Sequence, residues 1–127
     1  MPKRIGMGIA AAVAAAAILA IAASWRERVP PGPVETVALS MKDYTFNGRN
    51  PTLRFAPGQR VRFVVSNDED TRVLHNFRIA GLGVPCGPPL LPGERREVTV
   101  TLPRSGTFAY TCCTHPGMGG KLVIAAR

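Results

Sequence analysis

The stretch Arg60-Val61-Arg62-Phe63-Val64-Val65-Ser66 puts apolar side chains at 61, 63 and 65, with Arg62, Val64 and Ser66 between them. A period of two marks a strand with one buried face. The same period recurs further along, where Val73, His75, Phe77 and Ile79 share one face, then Val98, Val100 and Leu102, then Phe108, Tyr110 and Cys112. Val34 to Ser40, Tyr44 to Phe46, Thr52 to Phe55 and a last strand through Leu122 and Ile124 complete the set. Asn47-Gly48, Pro57-Gly58, Pro92-Gly93 and Ser105-Gly106 supply the turns between them. No run at helical spacing is long enough for a substantial helix in this region. The expectation is an all-β domain built as a Greek-key antiparallel β-sandwich, with a small barrel as the competing architecture.

Ahead of the strands, Ile5 to Ser24 is an uncharged run dominated by Ala, Ile, Leu, Val and Gly, preceded by Lys3 and Arg4 and followed by Trp25, Arg26, Glu27 and Arg28. It reads as one N-terminal apolar helix. Residues 1–24 are then either an export signal, cut at Ala20-Ile21-Ala22 or Ala22-Ala23-Ser24, or an uncleaved anchor crossing the membrane through residues 5–24. Val29-Pro30-Pro31-Gly32-Pro33 closes a stiff spacer over residues 25–33. The folded domain is expected over 34–127, in the periplasm or another extracytoplasmic space where disulfides form.

The formal charge of the chain is +8, and setting Lys3 and Arg4 aside with the leader leaves +6. The arginines are scattered through strands rather than clustered with aromatics, which speaks against nucleic acid. The balance suits an acidic or neutral protein partner, steered more than tightly held. A monomer is expected, since 127 residues allow one domain and little else.

The chemistry gathers in Tyr110-Thr111-Cys112-Cys113-Thr114-His115-Pro116-Gly117-Met118-Gly119-Gly120. Cys112 sits at a strand end, His115 in the turn and Met118 on the return, so all three can face one point while the glycines let the loop fold back. The chain has only two histidines, and the other, His75, faces inward by strand parity. A thiolate, two imidazoles and a thioether suit copper in a trigonal arrangement with a weak axial Met. Zinc would want a fourth strong ligand, and a thioether is a poor one. Soft, mixed ligands let Cu(I) and Cu(II) share one geometry, which favours electron transfer over substrate turnover.

At these residues the sequence resembles the cupredoxins, the small blue-copper proteins, and among them the amicyanin-like and plastocyanin-like bacterial members. The resemblance runs from Tyr44 through Pro57-Gly58, Leu74-His75-Asn76-Phe77, Leu91-Pro92-Gly93-Glu94 and Gly106-Thr107-Phe108 to Gly120-Lys121-Leu122-Val123-Ile124. It implies one copper per chain held by His75, Cys112, His115 and Met118, and no catalytic residues. It also implies that Asn76 ties the two ligand-bearing segments together. An amicyanin-like loop would carry Pro where Thr114 stands, so the backbone N–H of Thr114 is expected to donate to the Cys112 sulfur.

Cys113 departs from the family loop, and Cys86 lies in Gly83-Val84-Pro85-Cys86-Gly87-Pro88-Pro89, a segment that the family places toward the copper end. A Cys86–Cys113 disulfide is one expectation and two independent thiols the other. Pro88, Pro89, Leu90, Leu91, Pro116 and Gly117 are candidates for an apolar docking patch around the loop histidine, against their reading as ordinary loop prolines and buried leucines. The function expected is a blue-copper carrier of single electrons between redox proteins, with copper storage or delivery as the alternative. A copper enzyme is disfavoured, because two histidines are too few for a multicopper oxidase.

Overall fold

The computed structural model describes residues 32–126. The apolar run Ile5–Ser24 and most of the proline-rich spacer lie outside them. Among the described residues, no helix is long and apolar enough to cross a membrane.

Eight strands form two four-stranded sheets: β1 (Val34–Lys42), β2 (Thr45–Phe46), β3 (Leu53–Phe55), β4 (Arg60–Asn67), β5 (Arg78–Ile79), β6 (Arg95–Thr101), β7 (Gly106–Thr111) and β8 (Gly119–Ile124). The first sheet has the order β2-β1-β4-β6 and the second β3-β8-β7-β5. Sequence alternation predicts the burial well. Val61, Phe63 and Val65 of β4 are buried, and so are Leu39 and Met41 of β1, Tyr110 of β7, and Leu122 and Ile124 of β8. Between the sheets Phe46 meets Tyr110 edge-on at 5.1 Å between ring centroids, while Phe63 packs on Phe77 at 5.7 Å. Such aromatic pairs add stabilisation beyond the area they bury.

Two expectations about the strands are corrected. The sandwich is not purely antiparallel, because β1 runs parallel to β4 and β3 parallel to β8. The chain leaves the first sheet after β2, lays β3 in the second and returns as β4, so β1 and β4 are joined by a crossover rather than a hairpin. Of the pieces around Asn47-Gly48, β2 pairs with β1 and β3 with β8.

The strand expected through Val73 to Ile79 shrinks to Arg78–Ile79, with isolated pairings of His75 to Leu90 and Ile79 to Val84. The facing segment contains Pro85, Pro88, Pro89 and Pro92, none of which has an N–H to donate, so no continuous ladder can form. His75, Phe77 and Ile79 are nevertheless buried.

Where β8 begins, the backbone presses on β7. A Cβ on Gly119 would lie 2.2 Å from the Tyr110 carbonyl oxygen, and one on Gly120 would lie 2.5 Å from the Tyr110 hydroxyl. These two glycines let the chain return close enough to β7 for the intervening loop to fold over the end of the sandwich.

Candidate metal centre

Three segments converge at one end of the sandwich. His75 and Asn76 come from the pseudo-strand before β5, Cys112 directly follows β7, and His115 and Met118 occupy the loop before β8. The loop is closed by its own backbone: Cys112 N–H donates to the Met118 carbonyl at 3.0 Å and Met118 N–H to the His115 carbonyl at 3.1 Å. His75, Cys112 and Met118 are buried, and His115 is half-buried at the surface.

One donor atom from each of His75, Cys112 and His115 lies within 4.8 Å of the other two. Cys112 Sγ is 3.7 Å from His75 Nδ1 and 3.5 Å from His115 Nδ1, so both imidazoles turn the same nitrogen toward the sulfur. Met118 lines the same groove as Cys112 and His115. The spacing in sequence therefore does what its short reach suggests.

The surroundings of the sulfur favour its anionic form. Burial pushes its pKa up, but the Thr114 hydroxyl at 3.1 Å, the Asn76 N–H at 3.4 Å and the two imidazoles outweigh burial and bring the thiol down to about 6. Asn76 also accepts the Cys113 N–H on Oδ1 at 2.6 Å, so it fastens the His75 segment to the Cys112 segment. Thr114 reaches the sulfur through its hydroxyl rather than through its backbone N–H, which corrects the expectation. The N–H on the sulfur is that of Asn76, from the neighbouring segment.

The low thiol value makes the metal-free protein pH-sensitive. A thiol near 6 when folded and about 8.5 when unfolded gives stability that is complete above the unfolded value and lost as pH falls through 6. Urea unfolding of the metal-free chain should lose about 2–3 kcal/mol between pH 9 and pH 5 relative to Cys112→Ser. Parallel profiles for the two proteins would show that the sulfur is not held as thiolate.

Cys86 and Cys113 are joined by a disulfide, with Cα atoms 6.1 Å apart, which leaves Cys112 as the free thiol among the described cysteines. The bridge ties the ligand loop to the proline-rich segment that pairs with His75. Arg96 holds that segment from below, donating from one guanidinium nitrogen to the carbonyls of Phe77, Pro85 and Cys86.

Two residues that sequence reading did not single out belong to the centre. Glu69 is 7% exposed and takes the Nε2–H of the fully buried His75 on Oε1 at 2.8 Å. The carboxylate anchors the ring by its Nε2 and so keeps Nδ1 turned toward the sulfur. The same Oε1 accepts the Asp43 N–H at 2.9 Å. Asp43 and Tyr44 have φ of 51° and 59°, and this left-handed pair turns the Tyr44 ring edge-on against His115, with centroids 4.9 Å apart. The only available hint was the acidic run Asp68-Glu69-Asp70 just ahead of His75.

Of the patch expected around the loop histidine, Pro88, Pro89, Leu91, Pro116 and Gly117 are exposed but Leu90 is buried, because it pairs with His75. Tyr44 and Leu74 are exposed beside the ligand histidines in its place.

No protein-family model matches the chain, and no curated protein matches it. Solved structures do. Auracyanin B superposes with a TM-score of 0.60 over 77% of this chain and 94% of its own, at 22% identity. Reduced auracyanin from the photosynthetic bacterium Roseiflexus castenholzii gives 0.56 over 75% and 100%, at 20% identity. The chain has the cupredoxin fold. Copper nitrite reductase from Nitrosomonas europaea contains the same fold, with a TM-score of 0.62 and 22% identity over 73% of this chain, but the match spans only 42% of that larger protein.

Within this cupredoxin fold, the donor set fits a single copper ion. Two imidazole nitrogens and a thiolate suit copper, a buried thioether lines the same groove, and the nearest carboxylate, Glu69, is engaged with the far nitrogen of His75. A hard cation would want oxygen ligands that the centre does not offer.

Proposed function

We propose that this chain is a blue-copper carrier of single electrons that works outside the cytoplasmic membrane. The observation that carries the reading is the buried sulfur of Cys112 facing the Nδ1 atoms of both histidines. Copper bound there would supply a one-electron couple. The chain's own residues supply rigidity: Asn76, Glu69 and the Cys86–Cys113 bridge hold the donors in place before any metal arrives. A centre held in this way has little to rearrange when its charge changes. His115 reaches the surface among Tyr44, Pro116 and Gly117, so an electron has a short exit there.

The extracytoplasmic location rests on the apolar leader and on a disulfide, which oxidising compartments favour. The partners proposed are redox proteins, an electron donor and an acceptor.

Titration of the full chain with Cu(II) should give an intense thiolate-to-copper absorption band that saturates at one copper per chain. Cys112→Ser should abolish the band. Copper bound without that band, or bound equally well by the variant, would move the reading to storage or delivery.

A further inference from the structure

The charge of the domain is divided between its two sheets. Every Asp and Glu of residues 32–126 lies on a strand of the first sheet or within three residues of one, and no acid follows Glu97 in the chain. The first sheet's cations are largely engaged: Lys42 pairs with Asp70, Arg95 with Glu97, Arg62 bonds Thr36, and Arg96 bonds three carbonyls. The second sheet carries Arg54, Arg78 and Lys121, all exposed, whose side chains make no ion pair or hydrogen bond to any described residue.

Register places these three on one face. Phe55, Ile79, Tyr110 and Leu122 point inward, so their neighbours point out. Arg54 on β3 lies opposite Val123 of β8, and Lys121, two residues along β8, lies opposite Ala109 of β7. Two residues along β7, Thr111 lies opposite Arg78 of β5. The result is a diagonal basic stripe over a floor of small side chains. The groove that includes Ala109 and Lys121 also includes His115 and Met118, so the stripe is continuous with the surface over the metal centre.

We propose that this outer face of the second sheet is the docking surface for an acidic protein, its carboxylates read by Arg54, Lys121 and Arg78. That the acidic protein is a redox partner rests on the electron-carrier reading; the face does not. A membrane fits less well, because the large exposed apolar residues are Val34, Tyr44, Leu74 and Leu91, and none lies on this face to enter an interface. Long-range attraction would orient the partner, and the groove would bring its surface to the metal end.

The test follows backbone amide NMR signals of the full chain in uncharged detergent, with copper reduced, during titration with poly-L-glutamate at low and at physiological salt. Shifts should concentrate on β3, β5, β7 and β8, weaken with salt, and require about tenfold more polyglutamate after Arg54→Gln, Arg78→Gln and Lys121→Gln are combined. Shifts centred on the first sheet, or unchanged in the triple variant, would overturn the proposal. So would loss of binding to phosphatidylglycerol vesicles in that variant while polyglutamate binding is unaffected, which would make the face a lipid contact. Oxidation of the reduced protein by hexacyanoferrate(III) is followed separately. A chain that binds polyglutamate on this face but exchanges no electrons would sink the carrier reading and leave the docking face standing.

Discussion

Replacing Glu69 with alanine is expected to cost the metal-free protein about 2 kcal/mol and to weaken copper binding by about 10- to 100-fold. Its carboxylate oxygen meets the fully buried His75 ring at Nε2 and also accepts the Asp43 N–H at the exposed edge of the centre. Removing it strands the buried Nε2 side of His75, and an unsatisfied buried group costs about 1–3 kcal/mol, while water can replace the partner of the exposed Asp43 N–H. Loss of copper affinity has a separate origin: without a carboxylate on Nε2, nothing keeps the His75 ring turned with Nδ1 toward the sulfur. Glu69→Gln keeps an acceptor oxygen in place and should recover most of the stability. Urea unfolding and competition with a copper chelator measure the two effects. An alanine variant as stable and as tight as the parent would remove Glu69 from the centre.

Serine at both Cys86 and Cys113 should lower stability by about 3–4 kcal/mol, the chain-entropy value for a bridge spanning 27 residues. The double substitution leaves Cys112 untouched, so the expected copper stoichiometry remains one per chain. What should change is the preformation of the site, because the bridge joins the ligand loop to the segment that pairs with His75. Copper uptake should therefore be slower in the variant even under conditions where both proteins are fully folded. Equal unfolding midpoints would show that Arg96 and the loop's own hydrogen bonds already hold the segments together.

Much of the fold was legible because burial follows parity. Positions 61, 63 and 65 of β4 and 122 and 124 of β8 are apolar and inward, so sequence alone locates the face. The metal centre was legible for a different reason: Cys112, His115 and Met118 lie within one short loop, and only one other histidine exists to complete the set. Other features depended on contacts between distant segments. Glu69 reaches His75 from the segment after β4, where Asn67 Oδ1 accepts its N–H, and meets there the Asp43 N–H of the left-handed turn between β1 and β2, a contact that neither segment announces. The strand around His75 was overread because alternation says nothing about whether a facing chain has N–H groups to offer, and a proline-rich one does not. Parallel pairing was missed because a period of two reports a face and is silent on direction.

The three cysteines of the fold allow three pairwise bridges, and two of those consume the sulfur that the metal centre needs. Oxidation is therefore a race. Until β8 finds β3, the second sheet is open and Cys112 is as reachable as Cys113. Long-range parallel pairings of this kind close slowly. A chain that meets oxidant early would be trapped with its metal-binding thiol spent, so the yield of active protein should depend on a thiol–disulfide isomerase or on a reducing interval during folding.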